Sequence, residues 1–397
     1  MKAVAVLLAV TFAAAPLGAR TIPVAAGPDA QERLQGALID AKPGDIVRLG
    51  AGRFELTDGL SLDVNGVTVR GAGKARTVLG FKGQLGAGEG LLVTSDDIVL
   101  RDFAVEDSKG DGIKSKGADR IVYKSIRVSW TGGPKETNGA YGIYPVSSRH
   151  VLIEDCEVSG ASDAGIYVGQ SEDIVVRGST VRYNVAGIEI ENSRRADVYR
   201  NLAEHNTGGI LVFDLPNLPK LGGGEVRVFA NRVIDNDQAN FAPKGNIVAS
   251  VRKGTGVLVM ANDNVAISGN TLGGNATANV MILSYRFPQS DAKYNPLPRQ
   301  IVVSGNTHGR AGFAPQLPGG EQLAAGFGGM IPPVIWDGSG GDALGLVVSD
   351  AKVLSLGLAT GAAPESAKPA PVELKQGSPA PAPKPVVLPA TMERAAR

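Results

Sequence analysis

Cysteine is nearly missing from this chain. Cys156 is the only one in 397 residues, which excludes a disulfide framework and a thiolate metal cluster and leaves no lipid-anchor cysteine behind the N-terminal segment. Histidine is almost as scarce: His150, His205 and His308 fall in unrelated registers, so a histidine-rich metal site is not expected. Neither sign of charge predominates. With Lys and Arg interspersed among Asp and Glu and a formal net charge of +1, the chain has no basic footprint for DNA, RNA or a polybasic membrane surface. Past its first residues no apolar run reaches the length of a membrane helix.

What the chain has in abundance is glycine, 53 of them, which suits a repetitive all-β chain with many tight turns. From Gly112 to Asn306 one pattern keeps restarting: GIKSKGADRIVYKSIRV, GIYPVSSRHVLIEDCEV, GIYVGQSEDIVVRGSTV and GIEIENSRRADVYRNLA each hold two short apolar runs separated by a polar turn. The opening glycines Gly142, Gly165, Gly187 and Gly209 are 23, 22 and 22 residues apart. A fixed period in this range signals stacked repeats, because one unit cannot bury its apolar side chains until neighbours lie on it. Within a repeat the apolar positions alternate, as in Ile188 and Ile190 against Glu189 and Glu191, and period two over β-branched runs is strand chemistry. The fold expected is therefore all-β: a single parallel β-helix, a solenoid of about 22-residue rungs with equivalent side chains stacked roughly 4.8 Å apart. Two corner columns follow. One reads Ser125, Cys156, Ser179, Asn201, Asn231, Asn270 and Asn306, the other Asn184, Asn206, Asn236 and Asn275. They predict asparagine ladders, with asparagine also suited to a left-handed backbone at the corner. Cys156 is expected as a small buried group in the first column.

Residues 1–19 have the layout of a secretory signal peptide, with Lys2, an apolar stretch and a small-residue end at Ala19. The mature chain is then expected to be exported, periplasmic or extracellular. Residues 29–41 predict a helix with Asp29 as N-cap and Leu34, Leu38 and Ala41 on one stripe. A lone amphipathic helix ahead of a solenoid reads as a cap over its open end. The β-helix with this cap spans 20–316, residues 317–357 read as a C-terminal cap, and the Ala/Pro-rich tail 358–397 is expected to be disordered on composition.

If the opening isoleucines point inward, the next position runs Lys114, Tyr144, Tyr167, Glu189, Leu211 on the outside. Two residues on, the column is Lys116, Val146, Gly169, Glu191, Phe213, and the following corner holds Ser147, Gln170, Asn192 and Asp214. This outer strip, about four rungs or roughly 15 Å long, offers lysines, tyrosines and carboxylates to an extended glycan. Substrate contacts are expected from Lys114, Lys116, Tyr144, Tyr167, Gln170, Glu189, Glu191, Asn192 and Asp214. Insertions at 132–139 and 239–255 precede the strip's strands and those at 215–224 and 286–299 follow them, so loops are expected to wall both margins. Glu189, Glu191 and Asp214 are candidates for a calcium ion, against a solvated acidic patch beside Arg194 and Arg195. For catalysis, Tyr144 or Tyr167 would be the base and Lys114 the charge neutraliser. Asp96, Asp97 and Asp111 read as turn residues.

The chain resembles the bacterial secreted right-handed parallel β-helix proteins. Its first helix and the KPGD…RLGAGRFEL segment are shared with carbohydrate lyases and epimerases of that fold, and Tyr141 to Pro216, with YGIYPV, SDAGIYVGQS, AGIEIENS and TGGILVFDLP, is most similar to a subgroup that implies the fold without a reaction. The resemblance to mannuronan C5-epimerases is more distant. Those enzymes carry Tyr-Gly-(Ile/Phe)-Asp-Pro-His, whose Asp and His help neutralise the uronate carboxylate and shuttle its C5 proton; Tyr144 and Val146 stand in those two places here. A valine cannot take up or release a proton. The expectation is a protein that binds a polysaccharide or an envelope partner along its outer strip without catalysis; the alternative is a polysaccharide lyase or uronate epimerase acting on an acidic glycan.

Overall fold

The structure, a computed structural model, describes residues 18–377 and 381–397. Most of the expected signal peptide, residues 1–17, lies outside the described residues.

Each repeat folds into three short strands. Ala164–Gly169, Glu172–Arg177 and Thr180–Arg182 form one rung, and Ala186–Glu191, Arg194–Tyr199 and Leu202–Glu204 the next. Each strand pairs in parallel with its counterpart one rung on, so three long sheets run the length of the molecule. Sheet I has twelve strands from Thr21–Val24 to Val347–Val348, and sheet II has ten from Gly52–Glu55 to Thr307–His308. Sheet III has twelve, from Leu60–Leu62 to Ala370–Val372. The inward residues are stacked like on like: Ile143, Ile166, Ile188, Ile210, Val257 and Val280 form one fully buried column. Branched side chains packed at this spacing gain contact with both neighbours, so stability is shared between rungs rather than held by any one.

Both asparagine ladders are present. In the first, Asn201 donates its amide and its Nδ2 to Asn231 Oδ1, both at 3.0 Å, and Asn231 and Asn270 repeat the pattern onto Asn270 and Asn306. Ser179 accepts from Cys156 N at 3.1 Å, and the Cys156 thiol is buried. In the second, Asn184, Asn206 and Asn236 each donate to the next asparagine. Two details differ from expectation. Ser125 is out of the column, because Lys124 pairs with Glu154 and Ile126 therefore lies at the level of Cys156. The left-handed backbone falls one residue before the ladder, at Arg200, Ala230, Gly269 and Gly305. The asparagines are chosen for their inward-turned amides, and the preceding residue carries the bend.

The helix Ala30–Asp40 closes the N-terminal end with Ala30, Leu34, Ala37 and Leu38 buried. Gln35 exchanges two hydrogen bonds with the backbone of Ser61, so a side chain satisfies the exposed edge of the strand Leu60–Leu62. Asp29 sits in the left-handed region and does not cap with its side chain. At the other end, residues read as a cap add the strands Val334–Trp336 and Val353–Ser355 to sheet III, and Ala370–Val372 pairs antiparallel with the latter. Pro371 in this last strand has no N–H for a further partner.

The tail departs from its composition. Residues 381–397 run back along sheet I and end in the helix Ala390–Ala395. Leu388, Met392 and Ala396 bury against Val122, Leu152 and Val175, and Glu393 pairs with Arg177 at 2.7 Å. Alanine and proline cannot make a core of their own, but three apolar side chains on a preformed apolar face suffice to dock the segment.

Candidate functional site on the outer face of sheet III

The outward columns of sheet III follow the expected register. Lys114 pairs with Tyr144, Tyr167 with Glu189 and Glu189 with Leu211, and the column continues through Leu258, Met281, Ile335 and Leu354. Its exposure is not as expected. Tyr167, Glu189, Glu191, Asn192 and Asp214 are all buried. The insertion before residue 255, instead of standing at the margin, lies on the face: Val248 and Val251 join Tyr167, Ala186, Leu211 and Phe213 in one buried cluster, with Phe241 and Ile247 packed against it. Asn240 ties this loop together by donating to Val248 O and Val251 O, and Asn246 donates to Asp163.

Beneath and beside this roof is a cluster of tyrosines and carboxyls. The rings of Tyr141, Tyr144 and Tyr167 meet with centroids 4.4 to 4.9 Å apart, the tilted and edge-on packing that aromatic quadrupoles favour. The Tyr167 hydroxyl donates to Glu191 Oε1 at 2.6 Å. Glu189 Oε2 and Asp163 Oδ1 are buried without a partner. Burial, reinforced by the neighbouring acids, pushes the Glu189 carboxyl well above the usual range and that of Asp163 up to about 7. Burial raises Glu191 as well, and takes Asp111 up to about 6. Asp163, Glu189 and Glu191 are therefore buried acids shifted towards their protonated forms, not the solvated acidic patch that the sequence suggests, while Asp111 stays ionised enough to pair with Lys114. Arg194 and Arg195 belong to sheet I, where Arg195 pairs with Glu172 and Asp173.

Lys114 lies 4.9 Å above the Tyr144 ring and is ion-paired with Glu89 at 2.9 Å and Asp111 at 3.6 Å. Burial opposes its charge, but the two carboxylates outweigh burial and its pKa is raised. Lys116 is exposed and has no ion pair among the described residues. Gln170 is half-buried on a left-handed corner with its Oε1 unpartnered. Two expected contacts serve the scaffold instead. Asn192 staples the 215–224 insertion through Leu215 and Lys220, and the Asp214 carboxylate accepts from Gly222 N. Burial takes Asp214 up to about 6. Turned to that loop, Asp214 does not converge with Glu189 and Glu191, and no set of three His, Cys, Asp or Glu side chains placed for a metal ion occurs among the described residues.

The sequence reading missed Asp163 and took Asp111 for a turn residue. Asp111 stands one residue before Gly112 and Asp163 two before Gly165, so they do not share a register position, and what joins them is the turn that sets both beside Tyr141 and Tyr144. The sequence reading also ended the strip too early. Beyond Phe213 the face opens into a groove of about 700 Å³ with Phe213, Leu258, Met260, Met281 and Leu283 among its lining residues. Residues 249–252, 316–318 and 361–364 contribute to its walls.

The family described as the right handed beta helix region matches residues 65–238. No curated protein sequence matches the chain. Among solved structures, the A-module of the Azotobacter vinelandii mannuronan C-5 epimerase AlgE6 is similar over 82% of this chain and 93% of its own, at 15% identity and a TM-score of 0.52. The GH136 lacto-N-biosidase from Eubacterium ramulus is similar over 75% of this chain and 65% of its own, at 15% identity and a TM-score of 0.50. With three parallel sheets stacked rung upon rung and that match across the central rungs, the chain has the right-handed parallel β-helix fold.

Proposed function

We propose that this protein binds a polysaccharide at the exposed, tyrosine-bearing end of the outer face of sheet III and does not transform it. The observation that carries this reading is that Lys114 and the Tyr167 hydroxyl, two groups that catalysis would need free, are already engaged. Lys114 is neutralised by Glu89 and Asp111, and the Tyr167 hydroxyl is held by Glu191 under the roof loop. A base and a free charge neutraliser, which proton abstraction beside a carboxylate requires, are thus not both on offer. What reaches solvent is the partly buried Tyr144 ring, backed by Tyr141, with the exposed Lys116 one strand away. Flat rings beside a cation suit stacking against sugar faces. A fold shared with a mannuronan epimerase and a lacto-N-biosidase supports a carbohydrate as the ligand class.

Export to the periplasm or beyond is part of the proposal, since such glycans lie outside the cytoplasm. No helix among the described residues is long and apolar enough to cross a membrane. The second reading, a lyase or uronate epimerase, is favoured by one observation, the raised carboxyls packed against tyrosines.

Affinity gels cast with alginate, pectate or a neutral glucan, run alongside an unsaturated-uronate absorbance assay for the lyase and proton NMR of the recovered uronan for the epimerase, separate the two. Retardation without product is expected, weakened about fivefold by Tyr144→Ala and also by Lys116→Ala. Unsaturated product, or uronate inverted at C5, that disappears in Tyr144→Phe or Tyr167→Phe would establish the enzyme instead.

A further inference from the structure

The groove beyond Phe213 is a different surface from the tyrosine platform. For three rungs its floor is carbon and sulfur, with Phe213, Met260 and Leu283 on successive strands of one column and Leu258 and Met281 in the column beside it, before Asp337 takes the next place in the first column. A sugar lying on this floor would bury hydroxyls with no partner, a cost of roughly 1–3 kcal/mol for each one. The two methionines add unbranched, polarisable side chains that adapt to a flexible apolar guest.

The polar groups around the groove divide into used and unused. Arg286 is spent on Asp337, on Ser339 at 2.6 Å and on the carbonyl of Ala362. Asp337 is further held by the Ser284 amide and hydroxyl. Arg252, on the opposite wall, is exposed and has no side-chain partner among the described residues. The groove therefore offers one free cation beside an apolar trough.

We propose that this groove binds a single long-chain fatty acid, its hydrocarbon on the methionine floor and its carboxylate on Arg252. The size fits one chain. From Phe213 to Leu356 the floor crosses four strand steps, about 19 Å, and about 700 Å³ is in the range that encloses one small ligand. The charge fits as well, because a guanidinium meets a carboxylate through two parallel hydrogen bonds. This site is independent of the glycan platform, so either can fail alone.

Titration of the full mature chain with hexadecanoic acid, read by displacement of a fluorescent polyene fatty acid, is the test, with hexadecanol and vesicles of a diacyl phosphatidylcholine as comparators. One saturable equivalent of hexadecanoic acid is expected, weakened about tenfold by Arg252→Gln, while hexadecanol binding is unchanged by that substitution. Ala367→Trp, which fills the groove from a wall segment, should abolish binding of both. Alginate-gel retardation should be unaffected in the two variants. The proposal is overturned if the folded wild-type chain shows no saturable uptake, if Arg252→Gln binds the acid as tightly as wild type, if Ala367→Trp binds normally, or if only the vesicles bind.

Discussion

Raising the pH from 5 to 8 will weaken this fold, and Asp163→Asn will remove a calculable part of that loss. The Asp163 carboxyl, buried and facing Glu191 and Asp111, titrates at about 7 in the native state against about 3.8 when exposed. Between those values the folded chain holds a proton that the unfolded chain has released, so stability falls as pH rises. The slope is at most about 1.4 kcal/mol per pH unit for one group and flattens as the native carboxyl ionises near 7, which makes roughly 2 kcal/mol from pH 5 to 7 and nearly 3 by pH 8. Glu189, raised by burial and the neighbouring acids, adds to the loss, and Asp111 and Asp214, each at about 6, contribute below that pH. Groups shifted the other way do not interfere. Glu106, Glu172 and Asp173 are lowered by their arginine and lysine partners, and what they contribute is lost only as pH falls below the ordinary carboxylate range. Asparagine is neutral at every pH and keeps an oxygen for Asn246. Unfolding by urea, followed by circular dichroism at pH 5, 6, 7 and 8, should therefore show wild type declining and Asp163→Asn declining by about 3 kcal/mol less. A wild-type stability that is flat or rises over this range, or a variant that loses as much as wild type, would refute the account of the buried acids.

Asn231→Ala strands the amide and Nδ2 of Asn201 and leaves Asn270 Oδ1 and Val198 O short of a donor, so it should cost about 3–5 kcal/mol. Asn231→Ser should recover part of this, since Ser179 accepts in the same column; a loss below about 1 kcal/mol would mean the ladder is ornamental. Deleting residues 381–397 uncovers Val122, Leu152 and Val175 and should cost about 2–4 kcal/mol. It should also raise binding of an apolar dye, and an unchanged melting temperature would show the docking to be incidental.

The repeat made most of the fold legible. Once like residues recur every 22 or 23 positions, the inward isoleucines, the outward columns and both asparagine ladders follow from stacking alone, and the structure has all of them. What local pattern cannot show is which outward residues a distant segment will cover. Tyr167 and Glu191 face out of their strand in either case. Tyr167 is buried because Val248 and Val251 of the returning segment 239–251 pack with it, and no period in the sequence encodes that path. A sign was present in Phe241, Ile247, Val248 and Val251, too apolar for a loop that stands in water. The tail carried a similar sign, with Leu388, Met392 and Ala396 at helical spacing inside a stretch whose composition otherwise suggests disorder.

These departures share one cause. On a β-helix an outward position in mid-strand meets water unless something lies on it, so an apolar residue there is a demand for cover. Val122, Leu152 and Val175 stand at such positions on three successive rungs of sheet I, and the C-terminal helix covers them. Ala186 and Leu211 on sheet III are covered by Val248 and Val251. Met260 and Met281 on the following rungs are themselves nearly buried, yet the walls around them and Leu283 leave a groove of about 700 Å³ above. A segment long enough to fill that space was at hand, since residues 361–364 with Ala367 and Pro369 line the groove as a wall. Where the same molecule closes two apolar outer faces with its own side chains and holds a third open beside a free arginine, the third face is shaped for a guest, and an acyl carboxylate satisfies both its floor and its charge.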